Sequence, residues 1–237
     1  MKRILLMIFR NILFVPGAWI KLCYHAAHPD KYTDEQHLEM LRYITERANK
    51  GGNVTIDAHG IENIPKEDGF MLFPNHQGLY DMLAIENVIP RPLSAVVKKE
   101  AANIPFIKQV MACMRAYSLD RDDVRQGMQV IMNVAKDVAN GKNFVIFPEG
   151  TRSRDGNNVQ EFKAGSFKAA TKAKCPIIPV ALIDSFKPFD TNSTSPVTVQ
   201  VHFMVPLYYE DYKDMKTKEI AALVRDRIQN KIYENIK

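Results

Sequence analysis

One recurrence constrains the fold more than any other feature. Short apolar runs at residues 54–56, 70–73, 94–97, 116–119, 144–147, 177–183 and 197–205 are separated, for the most part, by longer stretches of helical periodicity. Runs this short suit strands, and their alternation with helices argues for an α/β sheet covered by helices. The expected architecture is a central mixed sheet of about seven strands. After Arg121, Val124, Met128, Ile131, Ala135 and Val138 fall on one apolar helix face that Gly141 closes. Near the C-terminus Ile220, Val224, Ile228 and Ile232 repeat the spacing. Such stripes are core far more often than cofactor contacts, so both are assigned to packing. At 237 residues the chain buries one good-sized core, which predicts a single α/β domain over 52–237 and a small helical appendage over 1–51.

That appendage carries the charge excess. The chain is formally +5, but Lys2, Arg3, Arg10 and Lys21 account for +4 of it within the first 28 residues, where no acid occurs. The remainder holds 28 basic against 27 acidic groups. A nucleic-acid-binding face is therefore not expected, whereas an anionic membrane remains a fitting partner. From Ile4 to Leu22 the segment is nearly all apolar, yet Arg10 and Asn11 interrupt it and Pro16-Gly17 bends it. A charge at the bilayer centre costs about 2.5 to 3.5 kcal/mol, so spanning is disfavoured. Arg3, Arg10 and Lys21 project to nearly one side of a helix, leaving a broad apolar face. This predicts a monotopic helix in the interface, with Trp19 at headgroup depth and the basic side chains reaching lipid phosphates. A spanning anchor, a signal peptide and a helix buried in the protein's own core are the competing readings. A second helix over 34–49 is expected, started by the capping box Thr33 to Gln36 and stopped by Gly51-Gly52. The cysteines Cys23, Cys113 and Cys175 are odd in number and lack CxxC spacing, which fits reduced thiols and neither a disulfide framework nor a zinc site.

Two strand ends carry chemistry. The run 70–73 stops at Pro74 and opens into Asn75-His76-Gln77-Gly78-Leu79-Tyr80-Asp81. His76 and Asp81 would stand about 140° apart on a regular helix, so they meet only if Gln77-Gly78 forms a turn. A carboxylate on one imidazole nitrogen fixes the tautomer and leaves the other to accept a hydroxyl proton. No Ser or Cys sits in a nucleophile-elbow pattern, which assigns the attacking hydroxyl to the substrate. A lone His-x4-Asp pair is more often structural than catalytic. The run 144–147 likewise ends at Pro148 and opens into Glu149-Gly150-Thr151-Arg152-Ser153-Arg154. The Gly150 and Thr151 backbone with the Arg152 and Arg154 forks suits a phosphate. Taken alone, the loop reads more simply as a solvated arginine-rich turn with Glu149 pairing an arginine. Lys98-Lys99-Glu100 follows another strand and adds positive charge.

In their order and spacing these blocks, His76 to Asp81, Lys98-Lys99-Glu100 with Ile104-Pro105-Phe106, Leu119-Asp120-Arg121, Phe147 to Arg152, and Ile177 to Ala181, resemble the motifs of the 1-acylglycerol-3-phosphate acyltransferase family over about residues 52 to 185. The resemblance implies acyl transfer from an acyl thioester, carried by coenzyme A or acyl carrier protein, to the free hydroxyl of 1-acylglycerol-3-phosphate, giving phosphatidic acid. It implies His76 as general base, oriented by Asp81. It also implies an acceptor phosphate site of Lys98, Arg121, Glu149, Gly150, Thr151 and Arg152, with Glu149 ordering the loop and Pro179 shaping the acyl or acceptor channel. No metal and no bound cofactor is implied, since the thioester is already activated. Lipid substrates place the enzyme on the membrane, and the basic N-terminus with a thioester donor favours its cytoplasmic face. Ala101 and Lys108 depart from the leucine and glycine usual at those places, which leaves substrate details open. The same chemistry on another lysophospholipid or hydroxyl, and thioester hydrolysis, are the alternatives.

Overall fold

Every strand-like run of the sequence lies in one sheet of the computed structural model, which describes residues 2–236. The strands are β1 (Val54–His59), β2 (Met71–Pro74), β3 (Ser94–Lys98), β4 (Tyr117–Leu119), β5 (Phe144–Val145), β6 (Ile177–Ile183) and β7 (Val197–Phe203). Around them run α1 (Lys2–Arg10), α2 (Val15–Ala27), α3 (Asp34–Gly52), α4 (Asp81–Val88), α5 (Ile107–Cys113), α6 (Val124–Ala139), α7 (Lys168–Ala173), α8 (Lys187–Asp190), α9 (Tyr209–Tyr212) and α10 (Thr217–Asn235). The sheet order is β1-β7-β6-β2-β5-β3-β4. It is mixed, as expected: β6, β2, β5, β3 and β4 run parallel, while β7 pairs antiparallel with β6 and carries β1 parallel to itself.

Central strands of such a sheet are buried on both faces, so their side chains divide by parity between two cores. Met71, Phe73, Ile177, Ala181 and Ile183 join α6, α7 and α10 on one face, where Ile220, Val224, Ile228 and Ile232 are fully buried. Phe70, Leu72, Ile178, Val180 and Leu182 join α3 and α4 on the other. Pro179 belongs to the sheet. It is buried inside β6 in register with Phe73 and does not line the apolar cavity described below. The β6 pairing shifts register between Ile177↔Leu207 and Val180↔Phe203, so a bulge at Met204-Val205 faces the residue that has no N–H to donate.

The α6 stripe holds at Ile131, Ala135 and Val138, which lie in or against the core, and is rotated from the expected one toward the helix N-terminus. Val124 and Met128 are exposed, and the buried line is Val130, Val134, Ala135 and Val138. Gln126 sets the rotation: its side chain donates to Ser118 O at 2.8 Å and accepts from Asp120 N at 3.0 Å. With that amide turned to β4, residues 124 and 128 point outward.

The appendage differs most from the expectation. α1 and α2 meet at a bend of 99°, and Pro16 sits in the first turn of α2, where proline is tolerated, so the break precedes it. The Asn11 side chain ties the break down by donating to Met7 O and Arg47 O. α3 begins with the expected capping box, Thr33 and Gln36 bonding each other's backbone N–H. It runs on through Gly51-Gly52 and ends at Asn53 in the left-handed region. The two glycines do not stop the helix; they let α1 approach it, because an added Cβ would come within 2.4 Å of the Asn11 amide at Gly51 and 2.3 Å of the Met7 methyl at Gly52.

This approach corrects the reading of the basic stripe. Arg3 is buried and donates to the backbone oxygens of Gly52 and Ser195. Arg10 donates to Gly51 O at 3.2 Å and Asn53 Oδ1 at 2.7 Å. Both guanidinium groups satisfy orphan carbonyls at the negative end of the α3 dipole, and burial withdraws Arg3 from any lipid phosphate. Of the three only Arg3 is buried; Arg10, although hydrogen-bonded to the end of α3, is exposed, as is Lys21. The exposed surface of α1, α2 and the turn between them is rich in hydrocarbon, with Leu5, Phe9, Ile12, Leu13 and Ile20 all more than half exposed beside Lys2, Arg10 and Lys21. Among the described residues no single helix is long and apolar enough to cross a membrane.

Candidate active site

The parallel order of β2, β5, β3 and β4 brings their C-terminal ends to one edge of the sheet, the place where open α/β folds hold their ligands. His76 follows β2, Lys98 ends β3, Arg121 follows β4, and Gly150, Thr151 and Arg152 follow β5. Chain topology thus gathers every expected site residue at one edge.

His76 Nδ1 lies 2.7 Å from Asp81 Oδ2. The turn required between them is present, and the same carboxylate builds it: Gln77 N donates to Asp81 Oδ2 at 2.6 Å and Gly78 N donates at 3.0 Å. Ser185 Oγ, just beyond β6, donates to Oδ1 at 2.6 Å. Asp81 opens α4, where a helix N-terminus favours a carboxylate. With only donors around Asp81, the shared proton belongs on His76 Nδ1, leaving Nε2 as an acceptor. The imidazole is about one-quarter exposed and rests on Phe147, ring centres 4.3 Å apart. Gly78 serves close approach, for its φ is not positive and an added Cβ would meet Asp190 Oδ2 at 2.6 Å and Phe186 Cα at 2.7 Å.

The loop after β5 grips the backbone of His76 from both sides. Glu149 Oε1 accepts from His76 N at 2.7 Å, and Ser153 N donates to His76 O at 2.8 Å. Glu149 thus stands apart from the expected phosphate set. Its carboxylate is buried and turned inward to His76 N, and among the described residues it pairs with no arginine. Burial pushes it up to about 7, against the backbone hydrogen bonds from His76 and Gln160. Arg152 pairs with Asp190 at 2.8 Å, and Asp190 also accepts from Leu79 N at 3.0 Å. Lys98 pairs with Glu100 at 2.7 Å. Gly150 adopts φ +71°, a conformation glycine supplies without strain. Thr151 and Arg121 are exposed on the same edge.

Several positioning groups escaped the sequence reading. Asn75 clamps β2 to β6, donating to Leu182 O at 3.0 Å and accepting from Leu182 N at 2.7 Å. Gln77 Oε1 accepts from Ser185 N at 3.1 Å, while its amide donates to Asn157 Oδ1 at 2.8 Å. Asp184-Ser185 directly after a wholly apolar strand was the available signal, since a polar pair at a strand's C-terminal end falls on the ligand edge.

Beside this edge lies a cavity of about 460 Å³ whose walls are almost all hydrocarbon. Met7, Ile8, Trp19 and Leu22 form its appendage side, and Tyr80, Leu83, Phe106 and Phe189 its body side. Tyr80 immediately precedes Asp81, and its hydroxyl donates to Asn49 Oδ1 at 2.6 Å. The arrangement joins a proton acceptor, a cation-bearing edge and an apolar chamber.

Comparison with known proteins bears on the family and the fold. The acyltransferase family model matches residues 55–183. The chain is 29% identical over 188 residues to the 1-acyl-sn-glycerol-3-phosphate acyltransferase of Borreliella burgdorferi, covering 78% of this chain and 74% of that protein. It is 32% identical over 161 residues to the enzyme of the same name from Salmonella typhimurium, covering 68% of this chain and 65% of that one, slightly under two thirds of the relative's length. The crystal structure of the 1-acyl-sn-glycerophosphate (LPA) acyltransferase PlsC from Thermotoga maritima superposes with a TM-score of 0.79 at 21% identity, over 98% of this chain and 95% of that one.

Proposed function

The chain belongs to the acyltransferase family, and from that premise we propose that it transfers an acyl group from a thioester of coenzyme A or acyl carrier protein to the free hydroxyl of 1-acylglycerol-3-phosphate, giving phosphatidic acid. The observation that carries the reading is the His76–Asp81 pair at 2.7 Å, its second nitrogen free at the ligand edge beside an apolar cavity. His76 Nε2 takes the acceptor's hydroxyl proton as the oxygen attacks the thioester carbonyl. Asp81 holds the tautomer and stabilises the imidazolium. Collapse of the tetrahedral intermediate expels the thiolate, which recovers the proton from His76. The thioester is already activated, so the reading assigns no metal or cofactor.

In this reading Lys98, Arg121, Gly150, Thr151 and Arg152 form the phosphate side of the acceptor site, and Glu149 acts from behind by fixing His76. The cavity takes hydrocarbon chain, since its walls are almost all hydrocarbon. Residues 1–51 dock the enzyme as a monotopic protein on the cytoplasmic face, their exposed apolar side chains entering the interface. The test is acyl transfer from a labelled thioester to lysophosphatidic acid in vesicles, with His76→Ala beside the wild type. Acceptor-dependent phosphatidic acid, lost in the variant, is the expected result. Product persisting in His76→Ala refutes the base, free fatty acid alone indicates a hydrolase, and product only with another acceptor moves the substrate within the family.

A further inference from the structure

Two of the three cations expected at the phosphate site, Lys98 and Arg152, are engaged, as is the neighbouring Lys99, while Arg121 is exposed with no ion pair among the described residues. Lys98 faces Glu100 at 2.7 Å, Lys99 faces Asp120 at 2.9 Å and Arg152 faces Asp190 at 2.8 Å. A phosphomonoester brings roughly −1.5 to −2 charges at neutral pH, and cations already neutralised by carboxylates answer it poorly. Lys163, a residue outside every motif block, lies over the Gly150 turn. A Cβ added at Gly150 would stand 2.9 Å from Lys163 Nζ, 3.1 Å from Cε and 3.3 Å from Cδ, so the lysine occupies the space that the glycine leaves open. Its backbone is pinned to the end of the β5 loop by Lys163 N donating to Pro148 O at 2.9 Å. Among the described residues its ammonium has no ion-pair partner. The neighbouring Glu149 carboxylate is turned inward to His76 N.

We propose that Lys163 binds the phosphomonoester of the acceptor, supplying over the Gly150 turn the unneutralised charge that Lys98 and Arg152 lack. The identity of the anion rests on the proposed function. The geometry follows from the loop: the segment that bears Lys163's contact also holds His76 through Glu149 and Ser153, so a phosphate gripped there is placed in a fixed relation to the base. The side chain's path over residue 150 also gives Gly150 a second reason to lack a Cβ.

Full-length Lys163→Met and Lys163→Arg in vesicles test this through KM for lysophosphatidic acid, KM for the thioester and kcat, with 31P NMR titration of glycerol 3-phosphate as a headgroup probe that needs no turnover. In Lys163→Met the acceptor KM should rise about 10- to 100-fold, as expected for losing a hydrogen bond between charged groups, with the thioester KM unchanged. Lys163→Arg should recover most of the loss, and glycerol 3-phosphate binding should weaken in Lys163→Met alone. An unchanged acceptor KM, a defect confined to the thioester KM, or Lys163→Arg as impaired as Lys163→Met would overturn the proposal. Wild type that binds glycerol 3-phosphate through Lys163 yet leaves lysophosphatidic acid unacylated would support Lys163 and count against the proposed acceptor.

Discussion

Asp81 gathers four donors, the imidazole of His76, the backbone of Gln77 and Gly78, and the Ser185 hydroxyl. It is therefore both the turn's organiser and the imidazole's partner. Asp81→Asn places an amide against N–H groups and reverses the tautomer preference; kcat should fall about 10²- to 10⁴-fold while circular dichroism stays native-like, and retained activity would refute the pairing's role. Glu149 offers a second test. Its folded value of about 7 lies above the usual 4.5, so the stability tied to it is complete below about 4.5 and is lost as pH rises through 7. Glu149→Gln keeps an oxygen for His76 N and removes the titration. The fall in Tm between pH 5 and pH 7.5 should shrink in the variant, and an unchanged fall would show that Glu149 does not titrate there. His76, Asp81 and the cations were legible as residue types at a spacing. That Glu149 faces inward was not, because a carboxylate among arginines reads as an ion pair until the fold supplies a closer donor.

The appendage shows how an element's role depends on its partner. The sequence of α1 carries the basic and apolar pattern of an interfacial helix, and its apolar side is exposed as expected, but Arg3 and Arg10 cap the C-terminal end of α3. Arg3→Met leaves the Gly52 and Ser195 oxygens without their donors and should cost on the order of 2 to 3 kcal/mol in denaturant unfolding. Arg3→Lys should recover only part of this, since a point charge lacks the fork that reaches two carbonyls; full recovery by lysine would argue for charge alone. The strands and the C-terminal stripe were readable from period and length. The rotation of α6 was not, because one Gln126 side chain outweighed two apolar ones, and that preference exists only once β4 lies beneath it.

At the scale of the molecule, an apolar appendage and a ligand edge share one cavity. Because Arg3 is buried and large apolar side chains stand exposed around the α1–α2 bend, membrane attachment should rest chiefly on hydrocarbon. Phe9→Asp with Leu13→Asp should abolish co-sedimentation with phosphatidylglycerol vesicles and leave the unfolding transition in detergent unchanged. Wild-type binding should persist in 1 M salt, where screening acts within about 3 Å; release by salt would mean that basic side chains reach the lipid. The sequence by itself determined the strands, the helices of strong period, the two motif turns and the gathering of chemistry at strand ends, since these follow from local periodicity and from proline and glycine placement. Only the tertiary structure decided which charges are spent inside the protein, which glycines serve close packing, and which lysine stands over the Gly150 turn. Those depend on residues far apart in the chain competing for the same donor, acceptor or space, and that competition is settled only when the sheet brings them together.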